Sequence, residues 1–91
     1  MNRSLTIQPG PVVVARRRAI LEFVERFVDE TGYGVSADWV HLTLKVVYPV
    51  SQQAYLDELN LLTERGQLIR QITCHTGRRT NFYYPNEETH A

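Results

Sequence analysis

Arg78 and Arg79 follow Gly77 between two runs of strand-forming residues, in the stretch ITCHTGRRTNFYY that extends from Ile72 to Tyr84. Paired guanidiniums at a turn suit contact with phosphate. They equally suit keeping an edge hairpin soluble and unable to associate strand to strand. Few other residues are spaced for chemistry. His41, His75 and His90 are far apart, and Cys74 and its neighbour His75 would point to opposite faces of a strand, so neither a zinc set nor a thiol–imidazole pair is indicated. There is no glycine-rich phosphate loop and no paired-carboxylate motif. Catalysis is therefore not expected, nor is a metal or other cofactor, and Cys74 reads as a small core residue.

The chain that must position these arginines has 91 residues, enough for one domain near the lower limit at which a single core is secure. Hydrophobic residues make up 43% and charged residues 22%, the ordinary globular range. A single cysteine allows no internal disulfide and fits a reducing compartment. Neither a signal peptide nor an apolar run of the roughly 20 residues that cross a bilayer is visible, so a cytoplasmic location is expected, with no membrane partner. Ten Lys and Arg balance ten Asp and Glu, without the basic excess typical of a nucleic-acid binder. The distribution is uneven. Arg3 and Arg16 to Arg18 cluster near one end, Arg70, Arg78 and Arg79 near the other, and acids outnumber bases from Glu22 to Glu64.

The opening MNRSLTIQPG carries no sustained period and runs into Pro-Gly-Pro, which predicts an arm over residues 1–14. Ile20, Phe23, Val24, Phe27 and Val28 then form a helical stripe, with Gly32 as its left-handed cap and Tyr33, Gly34 and Val35 as a loop. Ser36 caps a second helix from Ala37 to about Lys45, with Asp38 in its first turn, Val40 and Leu44 inward and Trp39 as an apolar body beside them. Ser51 caps a third, with Tyr55, Leu59 and Leu62 inward, Leu56 and Leu61 at the margins, and Arg65-Gly66 at its end. Leu68, Ile72 and Cys74 share one face of a strand that pairs with a return strand, Thr80 to Tyr84, in a hairpin whose register is open by one residue. Residues 86–91 read as a frayed tail.

Three helices followed by a polar-tipped hairpin, with YLDELNLLTERGQLIR at the third helix and TGYGVS before the second, resemble the winged helix-turn-helix DNA-binding family of small bacterial and phage repressors. The resemblance covers roughly Ala15 to Pro85. Leu59, Leu62, Gly66 and Leu68 carry a relative of the family's LxxLxxxGxI pattern. It implies an α+β fold, a winged helix of three helices followed by a two-stranded β-hairpin wing over residues 15–85. It also implies a transcription regulator, of phage or prophage type, that binds double-stranded DNA as a homodimer. Carried over by position, the third helix enters the major groove with Gln52, Gln53 and Asn60 as base readers, since Gln and Asn can pair with adenine through both donor and acceptor. Arg78 and Arg79 would take phosphate and minor groove from the wing, with Thr76 and Thr80 as secondary phosphate donors and Arg70 on the same element. The link Val46 to Val50 is longer than the usual three- or four-residue turn.

Two features weigh the other way. Asp57 and Glu58 on the third helix would repel phosphate if they faced it; Leu59 and Leu62 point inward, which puts Glu58 near the boundary and Asp57 outside. Arg16, Arg17 and Arg18 oppose the dipole of the first helix, and either phosphate contact or pairing with Glu22 or an acidic partner would account for them. The rival reading is a winged-helix protein-protein interaction module without DNA binding, presenting its acidic third helix and Tyr83 and Tyr84 to a partner. One positive surface joining Arg70, Arg78, Arg79 and the start of the third helix would favour DNA; an apolar patch flanked by acids would favour a protein.

Overall fold

The computed structural model describes residues 10–87. The first helix, α1 (Pro11–Thr31), starts at a proline, whose missing N–H and pre-set φ suit the first helical position. Val12 to Val14, expected in an arm, are thus its opening turn, and Val14 N donates to Gly10 O at 3.1 Å. Residues 1–9 of the predicted arm lie outside the described residues. Ile20 and Val24 are the fully buried positions of α1. At its end Gly32 takes a φ of 78°, and its N–H donates to Val28 O at 2.7 Å, the left-handed cap expected there.

Val35 belongs to a strand rather than to the expected loop. β1 (Val35–Ser36) leads directly into α2 (Ala37–Leu44), which Ser36 caps by accepting from Trp39 N at 3.3 Å. After residues 45–51 comes α3 (Gln52–Glu64), where Ser51 Oγ accepts from Ala54 N at 3.1 Å. The link is held by its own groups: Val47 N and Tyr48 N both donate to Leu44 O, and the buried Tyr55 hydroxyl donates to Tyr48 O at 2.6 Å. Two strands follow, β2 (Leu68–His75) and β3 (Arg78–Pro85), and β3 lies between the others in a three-stranded antiparallel sheet of order β1-β3-β2. The fold is α+β, with three helices and a sheet of three strands, not two. Val35 stands opposite Tyr83 and Ser36 opposite Phe82. Two residues are too short a run to show a period, and their partners lie far along the chain, so this strand has no local signature.

Gly34 makes that pairing possible. A Cβ there would lie 2.6 Å from the Tyr84 ring and 2.9 Å from Phe82 Cβ, so only a residue without one lets the chain lie this close to β3. The hairpin turn is Thr76-Gly77, both with positive φ (50° and 79°), the combination a type I′ turn requires. It sets His75 opposite Arg78 and resolves the register. β3 therefore begins at Arg78, ahead of the expected Thr80, and both arginines are strand residues beside the turn.

Each element contributes to one core. Ile20 and Val24 of α1, Val40 of α2 and Leu59 of α3 are fully buried. They meet Val35, Leu68 and Tyr83 from the three strands. Burial of such side chains stabilises by about 1.5–3 kcal/mol each. Two expectations fail at its margins. Trp39 is half exposed on the outer side of α2, and Cys74 is exposed although it shares a face with the buried Leu68. The hairpin runs on beyond the core: Ile72, between them on that face, is already 48% exposed. Alternation assigns a face, but burial needs a second layer over it. At the other end Asn86, expected in the frayed tail, donates through Nδ2 to Gly66 O at 2.8 Å and through its backbone to Gln67 O at 3.2 Å. Glu87 is also described; residues 88–91 lie outside the described residues.

Candidate nucleic-acid interface

α3 is amphipathic, so its first turn must reach the surface while Tyr55 and Leu59 are buried. The hairpin projects past the core on the same side. Between them, and closed by the start of α2, runs an open groove of about 620 Å³. Gln52, Arg70, Arg78, Arg79 and Thr80 line it together, with Asp38 from α2. Five of the eight residues picked out in the sequence therefore meet in one place, although they come from three different elements.

The other three are placed differently. Gln53 is exposed one residue further along α3, and its amide donates to Asp57 Oδ1 at 2.8 Å, one turn on. Thr76 is exposed at the turn. Asn60 is a bracket between helix and sheet, its Oδ1 accepting from Arg70 Nη1 at 2.9 Å and from the Tyr83 hydroxyl at 2.9 Å. Those two bonds use both lone pairs of that oxygen. They also anchor Arg70 of β2, so that its charge is carried from the α3 side of the groove.

The acidity of α3 resolves into two different situations. Glu58 is buried, and it receives Arg17 Nε of α1 in an ion pair, with Arg16 Nη2 at 3.7 Å from its other oxygen. Asp57 is exposed and engaged with Gln53. Arg16 and Arg17 are thus internal partners of α3, and the pairing expected with Glu22 is made with Glu58 instead. Sequence reasoning had no route to it, because ion pairs between separate helices leave no mark at i, i+3 or i, i+4. Arg18 remains exposed.

Asp38 is the charged groove residue that residue type and spacing did not mark as part of the site; Ser36 and Asn81 also line the groove without having been marked. Asp38 lies in the first turn of α2 and accepts from the Gln52 side-chain amide. Three guanidiniums therefore face one carboxylate, a surplus of positive charge in a chain whose total is zero. A second groove, beside the C-terminal half of α1, has the opposite character, with Glu22, Glu25, Asp29 and Glu87 against Arg26.

Apolar side chains also reach the surface. Along the outer side of α2 and the link after it, Trp39 and Leu42 are half exposed, Val47 more so, and Val46 is 82% exposed. Among the described residues no three His, Cys, Asp or Glu side chains are grouped to hold a metal ion, and no helix is long and apolar enough to cross a membrane. Compared with family models, with curated proteins and with solved structures, the chain finds no match.

Proposed function

We propose that the chain is a winged-helix DNA-binding protein and regulates transcription by occupying its site. The single observation that carries this reading is the groove in which Gln52, at the start of α3, shares one surface with Arg70, Arg78, Arg79 and Thr80 of the hairpin. α3 would enter the major groove by its first turn, and the hairpin would follow the phosphates beside it. Support for the wing comes from β1, which pairs with β3 and so ties the hairpin to the helical layer.

The balanced net charge is a weaker objection than the totals suggest. Arg16 and Arg17 are engaged with Glu58 inside the molecule, the acids beside α1 line a separate groove, and what faces outward between α3 and the hairpin is positive. Affinity for a duplex depends on those outward charges, since each neutralised phosphate releases counterions. Two copies of the chain would double the phosphate contacts and match a palindromic site.

One observation favours a second reading, a protein-interaction module. Trp39, Leu42, Val46 and Val47 expose an apolar strip along α2 and the link, a feature that DNA binding leaves unused. Titrating labelled duplex DNA of random sequence at two salt concentrations separates the two. Binding that weakens steeply with salt supports the DNA reading. No binding at low salt overturns it and leaves the apolar strip as the candidate surface.

A further inference from the structure

Asp38 stands among groups of opposite charge and takes no part in the core. Its carboxylate, in the first turn of α2, accepts from the Gln52 amide in the first turn of α3. A carboxylate only accepts, so it fixes which end of the amide turns toward it: Nε2 faces Asp38, and Oε1 is left to face elsewhere. One N–H of Gln52 is then occupied. What remains is one N–H and one carbonyl oxygen, a donor beside an acceptor.

Adenine matches that pair in the major groove, with its N7 acceptor next to its N6 amino donor, whereas guanine presents two acceptors, N7 and O6. A glutamine free to turn can offer guanine both N–H groups; one held by Asp38 cannot. The same carboxylate lies in the groove with Arg70, Arg78 and Arg79, where it opposes their attraction for phosphate of any sequence. We infer that Asp38 sets the specificity of this groove: it positions Gln52 for adenine and weakens binding that is indifferent to sequence. The inference rests on the DNA reading above and deepens it.

The test compares the wild-type chain with Asp38→Asn, Asp38→Ala and Gln52→Ala. Two readouts are needed, sequence enrichment from a pool of random duplexes and the salt dependence of binding to a duplex that lacks the enriched sequence. Asparagine keeps an acceptor oxygen for Gln52 and loses the charge. Asp38→Asn is expected to bind the non-enriched duplex more tightly, with a logarithmic salt slope steeper by about one, and to keep the adenine preference. Asp38→Ala should show the same gain and accept guanine where the wild type takes adenine. Gln52→Ala should lose the preference without the gain. Asp38 is exposed, so circular dichroism should show all four proteins equally folded.

An adenine preference that survives in Asp38→Ala overturns the positioning role. An unchanged salt slope in Asp38→Asn overturns the charge role. A wild-type chain that binds DNA while both Asp38 variants behave like it removes this inference and leaves the DNA reading intact. A wild-type chain that binds no duplex removes both.

Discussion

Glu58 of α3 and Arg17 of α1 meet in an ion pair below the surface, with Arg16 on the far oxygen of the same carboxylate. Two helices distant in sequence are thereby pinned together, and a negative charge is withdrawn from the surface of α3. Removing the carboxylate leaves two guanidiniums largely buried without a counter-charge. Glu58→Ala should therefore destabilise the fold by about 3–5 kcal/mol in urea unfolding. Replacing Arg16, Arg17 and Glu58 together by apolar residues of similar volume should recover most of that loss, because no unpaired charge then remains.

Tyr55 joins the core to the link between α2 and α3 through its bond to Tyr48 O. Tyr55→Phe should cost about 0.5–1.5 kcal/mol of stability, the usual net worth of one such bond. Burial raises the phenol's pKa above its ordinary value of 10.0, against an opposing influence from Arg16. The folded chain therefore holds this proton more tightly than the unfolded chain. Its contribution is complete below the unfolded pKa and is lost as pH rises through the folded value. Unfolding free energy should fall above about pH 10, and by less in Tyr55→Phe, as measured by denaturant titration across that range.

Gly34 has no space for a methyl group against Tyr84 and Phe82. The Tyr84 ring can swing aside, but Phe82 Cβ is fixed to the backbone of β3. Gly34→Ala should force β1 away from β3 and lower stability by about 1–3 kcal/mol, read from thermal or urea unfolding. Amide exchange at Val35 and Ser36 should quicken in the same variant, reporting the weakened pairing locally.

Arg78 and Arg79 are exposed, and neither supports the core. Changing both to alanine should leave unfolding within about 0.5 kcal/mol of wild type. On the DNA reading, the same change should weaken binding to every duplex and reduce the logarithmic salt slope by about two, one for each phosphate no longer neutralised. Fluorescence anisotropy with unchanged affinity and slope would remove the hairpin from the binding mechanism.

The helices and their ends were legible in the chain because each depends on neighbours within a turn or two. Ser36 and Ser51 cap the N–H groups three residues on, Gly32 turns left-handed after α1, and the stripes Ile20–Val24 and Tyr55–Leu59–Leu62 repeat at the helical period. The arginine-bearing hairpin was legible for the same reason, since Gly77 and its flanking strand formers lie side by side. Other features required the folded molecule. β1 exists only because Tyr83 and Phe82 come back to it, Asn60 became a bracket only when Arg70 and Tyr83 arrived at its oxygen, and Cys74 is exposed because, among the described residues, no layer covers the far end of the hairpin. The groove belongs to this second group. Residue types suggested which side chains suit DNA, but bringing Gln52, Asp38 and the hairpin arginines onto one surface depends on how α2, α3 and the sheet pack, and packing between distant segments leaves no period in the chain.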